Sequence, residues 1–230
     1  MAASFFSDMK SLVLLFQQGQ FASPKHPEQG FSIETFREEC RRQEIAGSQE
    51  VYLQVVYHVP HFIVLPKDID ACAVYQHHFP EIKNEDIACA QLSDKLQKIA
   101  YPKEAALEEV AEEMLPHHQL LADAYLLLNY AIKKSRKQKL LLLHRSADDL
   151  QVILAQNGQL LFANSFKAAN NIEAQYFIAA VAQEYGPVEN VLLGGDPTLE
   201  DVIKDHFKHI SRFSIPEEIQ EFLHCQSQLL

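Results

Sequence analysis

Two short groups of residues have types that could bind a small ligand, and the first is a glycine pair followed by an aspartate. Gly194, Gly195 and Asp196 follow the apolar residues 191–193. If the chain keeps a small-molecule site, we expect Gly195 to lie against the ligand, because a side chain there would block its approach. The more common role of such a pair is a tight turn between a strand and a helix.

Asp148 and Asp149 form the second group, and they follow the four leucines 140–143. Carboxylates are the ligands that magnesium prefers in proteins. An aspartate in a hairpin turn also bonds nearby backbone amides, which is the more common explanation of such a pair. These five residues are the candidate cofactor-binding residues, and we assign no catalytic residue and no metal ligand.

The cysteines and histidines lack the spacing of a catalytic or metal site. The cysteines are Cys40, Cys72, Cys89 and Cys225. They form no CxxC pair, so we expect them to be small buried or half-buried hydrophobic side chains. His206 and His209 could share one ion on a helix, but no carboxylate pair lies nearby to complete the shell.

Net charge and hydropathy exclude other classes of function. The chain has 20 basic and 31 acidic side chains, a net charge of −11, whereas a nucleic-acid binder needs a basic face. The basic residues at 133–139 follow an apolar helical stretch, where cations complement the helix dipole. No run reaches the roughly 18 apolar residues of a membrane span. The run 12–16 is too short for a signal peptide, so we expect a cytoplasmic protein.

The second half of the chain has a clear order of elements. Strands are predicted at 139–144, 150–155, 159–166, 188–193 and 210–215, and helices at 172–185 (capped by Asn171), 198–207 and from Pro216 onward. Asn157-Gly158 is among the strongest short-range hairpin signals. Three antiparallel strands followed by alternating helix and strand are typical of the ribonuclease-H-like fold.

The first half contains a degenerate version of the same pattern. Strands are predicted at 11–16, 21–23, 51–57, 61–65, 86–92 and 96–101, with a loop marked by Pro24, Pro27 and Gly30. Helices are predicted at 32–43 (capped by Ser32), from Asp68 to Phe79, at 103–114 and at 119–136. The long apolar helix 119–136 would connect two halves, 1–134 and 135–230.

Three apolar motifs connect the chain to a known family. They are Phe62-Ile63-Val64-Leu65-Pro66, the run 160–166 leading to Tyr176-Phe177, and Val191-Leu192-Leu193-Gly194-Gly195. In these motifs the chain resembles a family of uncharacterised bacterial proteins of unknown function with the actin-like ATPase fold. The resemblance covers nearly the whole chain. It implies an α/β protein with mixed sheets, in which two ribonuclease-H-like halves form an actin-like fold, but it implies no activity.

The wider actin-like superfamily holds ATP between its two halves, using two phosphate loops that contain glycines and an acidic residue. In this chain the turn at 16–20 has Gly19 but no acid, and the turn at 143–149 has acids but no glycine. The position of Gly194-Gly195 matches a glycine pair that contacts the adenosine in the superfamily. Both phosphate loops therefore depart from the superfamily pattern.

We interpret the chain as a non-catalytic protein of the actin-like fold that binds or scaffolds other proteins, with no cofactor expected. The alternative is a nucleotide-binding protein or ATPase with unusual phosphate contacts. We expect a protein partner and no nucleic acid or membrane span, and the interpretation is compatible with a homo-oligomer.

Overall fold

The computed structural model describes residues 11–23, 26–48 and 50–213. Contacts between Cα atoms divide the chain into two compact units. The first unit contains Met1–His58 and Lys103–Asp123, and the second contains Val59–Pro102 and Ala124–Leu230. These bounds differ from the halves 1–134 and 135–230, which remain a prediction about the repeated pattern.

The regular elements are numbered in chain order. The strands are β1 (Ser11–Gln17), β2 (Gln20–Ser23), β3 (His26–Ser32), β4 (Tyr52–Tyr57), β5 (Ile63–Pro66), β6 (Ile87–Gln91), β7 (Gln97–Pro102), β8 (His118–Ala122), β9 (Lys139–Ser146), β10 (Asp149–Gln156), β11 (Gln159–Lys167), β12 (Asn190–Gly195) and β13 (His209–Arg212). The helices are α1 (Ile33–Arg42), α2 (Ala71–His78), α3 (Ala105–Met114), α4 (Asp123–Lys134), α5 (Asn171–Tyr185) and α6 (Leu199–Ile203).

The first unit is built on a five-stranded sheet with the order β3-β2-β1-β4-β8. β1 pairs antiparallel with β2 and parallel with β4, and β4 pairs parallel with β8. α1 begins where predicted, because the Ser32 hydroxyl accepts a hydrogen bond from the backbone N–H of Thr35 at 3.2 Å. The core of this unit contains the fully buried Leu14, Phe21 and Phe36.

The second unit contains a five-stranded sheet with the order β11-β10-β9-β12-β13. The strands β9, β10 and β11 form the antiparallel meander that the sequence predicts, and β12 pairs parallel with β9. Asn157 and Gly158 make the turn between β10 and β11 with φ of 55° and 76°, as a type I′ turn requires. β9, β10 and β12 pack against α5 and α6 through a continuous apolar core.

Both five-stranded sheets have the same strand order and the same pattern of parallel and antiparallel pairs. β1, β2, β3, β4 and β8 occupy the places that β9, β10, β11, β12 and β13 occupy in the other sheet. Each sheet is therefore the mixed sheet of the ribonuclease-H-like pattern. The α/β class with mixed sheets is as predicted.

The predicted arrangement of strands in the first half was wrong in one respect. The strands predicted at 61–65, 86–92 and 96–101 do form, but they make a separate three-stranded sheet, β5-β7-β6, covered by α2. The fifth strand of the first sheet is β8, which the sequence predicted as the start of the helix 119–136. A short buried strand and a buried helix are both continuous apolar runs, so periodicity does not separate them.

Smaller corrections concern the ends of elements. The predicted loop around Pro27 and Gly30 is β3, an edge strand, where proline is tolerated, whereas Pro24 lies outside the described residues. Asp70, not Asp68, caps α2, and Asn170, not Asn171, caps α5. The helix predicted at 198–207 ends at Ile203, and β13 ends at Arg212. The helix predicted from Pro216 lies outside the described residues.

The expectation for the cysteines was wrong for two of them, because Cys72 of α2 and Cys89 of β6 form a disulfide. Their Cα atoms are 6.4 Å apart, within the usual range. A separation of 17 residues carries no signal in the sequence, since the packing of α2 on β6 brings them together. Cys40 is free and buried, and burial raises the pKa of its thiol to about 12. Cys225 lies outside the described residues.

None of the described helices combines the length and the apolar character needed to cross a membrane. Across 11–23, 26–48 and 50–213, no three side chains of His, Cys, Asp or Glu come together in the way a metal ion requires.

Candidate functional site

The two candidate groups lie at the same end of the second five-stranded sheet. Gly194 and Gly195 are the last residues of β12, where they pair with His144 and Arg145 of β9. The backbone N–H of Asp196 donates to the carbonyl oxygen of Arg145 at 3.2 Å. The fold thus brings residues 194–196 beside the start of the turn that contains Asp148. The glycines end a strand, whereas the sequence suggested a turn.

Residue 195 must be glycine because the backbone of the neighbouring strand leaves no room for a side chain. Its φ is +80°, and a Cβ there would penetrate the carbonyl oxygen of Arg145 and lie 2.8 Å from the carbonyl carbon. Both the backbone conformation and this close approach therefore exclude a side chain. The close approach seen at Gly195 is made by the neighbouring strand, and the predicted approach of a ligand stays a prediction.

Gly194 is covered by an aromatic ring. A Cβ at this buried glycine would lie 2.5 Å from the tip of the Phe213 ring. The same ring packs against Tyr130, with centroids 5.6 Å apart, and against His144 at 6.4 Å. The space over Gly194 is therefore filled by a side chain of the same chain.

Arg145 is the central charged group at this end of the sheet, and it is only 6% exposed. Its guanidinium donates to Asn171 Oδ1 at 2.7 Å and to the carbonyl oxygen of Ala168 at 2.9 Å. It also lies 3.7 Å from the Asp196 carboxylate. The arginine thus ties β9 to the start of α5 and to the residue that follows the glycine pair.

Asp196 remains ionised at neutral pH. Burial alone would raise the pKa of this carboxyl, but hydrogen bonds from Thr198 and the charge of Arg145 hold the pKa below its usual value. Its Oδ1 accepts from the backbone N–H of Thr198 at 2.8 Å. The Asp196 carboxylate therefore stabilises the local turn and lies near the guanidinium of Arg145.

The two aspartates of the second group separate in the structure. Asp148 is exposed in the turn, and its carbonyl oxygen accepts from the Ala168 N–H at 2.7 Å. Asp149 is not part of the turn as predicted but is the first residue of β10, where it is buried and pairs with Lys167 at 2.8 Å. Asp149 is neutralised by a lysine of the same chain, so its charge is already matched.

The turn at 16–20, which would correspond to the first phosphate loop, is a hairpin turn with one glycine and no acidic residue. Gln18 and Gly19 have φ of 51° and 76° and close the hairpin between β1 and β2. Gln17, Gln18 and Gln20 line a cavity of about 190 Å³ beside it. Amide side chains there bring neither a positive charge for a phosphate nor a carboxylate for magnesium.

Two buried polar groups in the structure were not predicted from the sequence. The first is Arg145, which the sequence places in the turn 143–149 but which lies in β9; the signal for it is an arginine that continues an apolar strand. The second is a largely buried hydrogen-bonded pair in the first unit, between His58 Nδ1 and Asp123 Oδ2 at 2.7 Å. His58 follows β4 and Asp123 follows β8, which are neighbouring parallel strands, so their carboxyl ends bring the pair together. Nothing in the spacing of 65 residues indicates that pair.

Comparison with known proteins adds the following. Residues 5–187 match the profile of DUF3822, a protein family of unknown function. A solved structure from Bacteroides thetaiotaomicron VPI-5482, described as having an actin-like ATPase fold and unknown function, is similar with a TM-score of 0.68 and 15% identity. The match covers 90% of this chain and 93% of that one. At this identity it shows the fold, which is actin-like.

A second similar structure is the cytoplasmic domain of EpsL, an inner membrane component of the type II secretion system of Vibrio cholerae. Its TM-score is 0.50 at 11% identity, and the match covers 93% of this chain and 94% of that chain. No protein with a curated description matches the sequence.

Proposed function

The chain belongs to the DUF3822 family of proteins of unknown function, and we propose that it is a non-catalytic protein of the actin-like fold that binds or scaffolds other proteins. One observation carries this proposal. At the end of the sheet where a nucleotide contact would be sought, the Phe213 ring covers Gly194 and the Arg145 backbone lies against Gly195.

The charges at this end of the sheet support the proposal. A phosphate site needs uncommitted donors, and a magnesium site needs uncommitted carboxylates. Two of the three Arg145 guanidinium nitrogens are committed, Nη1 to Asn171 and Asp196 and Nη2 to Ala168, whereas the buried Nε has no hydrogen-bond partner among the described residues. The Asp149 carboxylate is committed to Lys167. An incoming triphosphate would have to compete with ion pairs that the fold already provides.

The partner class is inferred from charge and from fold analogy. A net charge of −11 disfavours nucleic acid as the partner and leaves proteins as the partner class. The EpsL domain, which has a similar fold, belongs to a protein described as an inner membrane component of a type II secretion system. That analogy supports an assembly role for the fold, and residues of this chain must supply the evidence for its own partner.

The proposal includes a location in the bacterial cytoplasm. The acidic composition is compatible with it, and the similar structure of unknown function comes from a bacterium. The Cys72–Cys89 bridge is the observation against it, because disulfides are rare in cytosolic proteins. Alkylation of thiols in intact cells before lysis would decide, because both thiols would be alkylated in the cytoplasm whereas an intact bridge would protect them and contradict this location.

ATP turnover tests the non-catalytic proposal. Purified protein with magnesium and ATP should release phosphate at the buffer rate. Asp148→Asn, which removes an exposed carboxylate without moving the backbone, is the matched variant. Turnover that follows the protein through purification and falls in Asp148→Asn would overturn the proposal and favour the alternative of an ATPase with unusual phosphate contacts.

A further inference from the structure

Helix α5 exposes an apolar stripe to solvent. Ile172 is 80% exposed and Tyr176 is 67% exposed, one helical turn apart. Ala179 and Ala180 continue the exposed side in the next turn. Single exposed hydrophobic residues are normal, but a stripe of them along one helix face indicates a contact surface.

A cavity of about 290 Å³ lies beside this stripe, between α5 and α6. Apolar side chains line most of it: Ile178, Ala179, Ala182, Val188, Ile203 and Phe207. Gln175 and His206 also line the cavity, and their Nε2 atoms lie 2.9 Å apart. Because Ala179 belongs to both the stripe and the cavity wall, the two features form one continuous apolar surface.

Carboxylates dominate the border of this surface. Glu173 and Glu184 are exposed on α5, and Glu189 and Asp205 are exposed on the side of the cavity. Among the nearby cations, Lys204 pairs with Asp201 at 3.0 Å, while Lys208 is exposed. A binding partner that covers the stripe must therefore bring positive charge to its rim.

We propose that the α5 stripe and the adjacent cavity form a docking surface for a basic amphipathic segment of a partner protein. This inference rests on the proposed function as a binding protein and names the surface that would carry it. One large apolar side chain of the partner enters the cavity, as buried anchors do at protein interfaces. Lysine or arginine residues of the partner then face Glu173 and Glu184. An anionic membrane surface does not fit, because the rim would repel it.

A model peptide tests the surface directly. The probe is a synthetic amphipathic helix made only of leucine and lysine, and its control replaces every lysine with glutamate. We expect the lysine peptide to bind at least about tenfold more tightly than the glutamate peptide, which fluorescence polarisation would measure. Equal binding of both peptides, or no binding of either, would overturn the proposal.

Three variants assign the binding to this surface. Ile172→Glu and Ala182→Phe, which fills the cavity, should each weaken binding of the lysine peptide by about tenfold. Ile69→Glu is the matched control, because Ile69 is also an exposed apolar residue of the second unit but lies outside the stripe. Circular dichroism would check the fold, and Ile172→Glu carries the test if Ala182→Phe is unstable. Wild-type affinity in both variants, or an equal loss in Ile69→Glu, contradicts the proposal.

The peptide experiment and the ATP experiment fail independently. ATP turnover would overturn the non-catalytic proposal whatever the peptide does. Loss of selective peptide binding would overturn this docking surface and would leave the non-catalytic proposal unaffected.

Discussion

A glycine at position 195 can be required by a nearby ligand or by nearby backbone of the same chain. Only the position of the neighbouring strand reveals the second reason. From the sequence, we expected a side chain at this position to block a ligand if the chain keeps a small-molecule site. In the structure, a side chain there would itself be blocked. The blocking atoms are the backbone atoms of Arg145, a cross-strand neighbour 50 positions away that no local pattern reveals. Whether a ligand also approaches the glycine stays a prediction.

Gly195→Ala should lower the free energy of unfolding by more than about 3 kcal/mol, because positive φ and a steric clash act together. Gly19→Ala is the matched control, since Gly19 lies in a hairpin turn and has a φ of +76° with no atom within 4 Å of the added Cβ. That variant should lose only about 1 kcal/mol from backbone strain. Urea unfolding measures both, and equal losses would show that the contact with Arg145 is unimportant.

Arg145→Met should lower the free energy of unfolding by about 2–4 kcal/mol, because the change leaves buried acceptors without their donor. The affected acceptors are the carbonyl oxygen of Ala168 and the side-chain oxygen of Asn171. Arg212→Met is the surface control, since that arginine is about half exposed and pairs with Glu200. Exposed pairs contribute at most about 1 kcal/mol, so a similar loss in both variants would contradict a structural role for Arg145.

At the scale of elements, the small sheet β5-β7-β6 contains a polar contact that should respond to pH. Tyr75 Oη and His61 Nδ1 are 2.6 Å apart, and the His61 ring stacks on Phe79 with centroids 4.2 Å apart. Burial lowers the pKa of His61 from its ordinary value of 6.5, and burial likewise raises the pKa of Tyr75. The neutral imidazole of His61 therefore accepts a hydrogen bond from the Tyr75 hydroxyl in the folded state.

Because the folded pKa of His61 lies below 6.5, the unfolded chain binds the proton more readily. The contribution of His61 to stability is fully present above its unfolded pKa of about 6.5, and it is lost as the pH falls from there through the lower folded pKa. Chemical unfolding of wild type and His61→Gln from pH 8 to pH 5 would show this. The wild type should lose more stability on acidification, and parallel curves would contradict the assignment.

The disulfide joins α2 to β6 within the same small sheet. Replacing Cys72 and Cys89 together by alanine should cost about 3 kcal/mol, as expected for closing a loop of this length. Dithiothreitol should lower the Tm of the wild type and leave the double variant unchanged. A wild-type Tm that ignores the reductant, with both thiols free to alkylate, would mean that the bridge does not form in solution.

The strands of the second five-stranded sheet were predicted correctly from the sequence, whereas the assignment of strands to the first sheet was wrong. The difference has a physical reason. Asn157-Gly158 fixes a hairpin locally, and the strands on either side follow from it. The strands of the hairpin β6–β7 were also predicted, but local signals do not say which sheet a hairpin joins. Non-local pairing places β8 beside β4, 65 residues earlier, where an apolar helix was expected.

At the scale of the whole molecule, the two five-stranded sheets repeat one topology with a single large difference. In the first, residues 59–102 separate β4 from α3, whereas in the second α6 follows β12 after three residues. The inserted residues form the small sheet with α2, and by contacts they belong to the second unit. The repeat is therefore visible in strand order, and the insertion explains why the sequence alone misassigned its strands.

The central claim is that the glycine end of the second sheet is occupied by the chain itself and holds no nucleotide. The most direct test is thermal unfolding of the full chain with ATP or ADP, each with magnesium. A ligand present at 100 times its Kd would stabilise the protein by roughly 2.7 kcal/mol, a shift of several degrees in Tm. We predict no shift with either nucleotide at millimolar concentration. A saturable rise in Tm with ATP that disappears in Asp148→Asn would contradict the account.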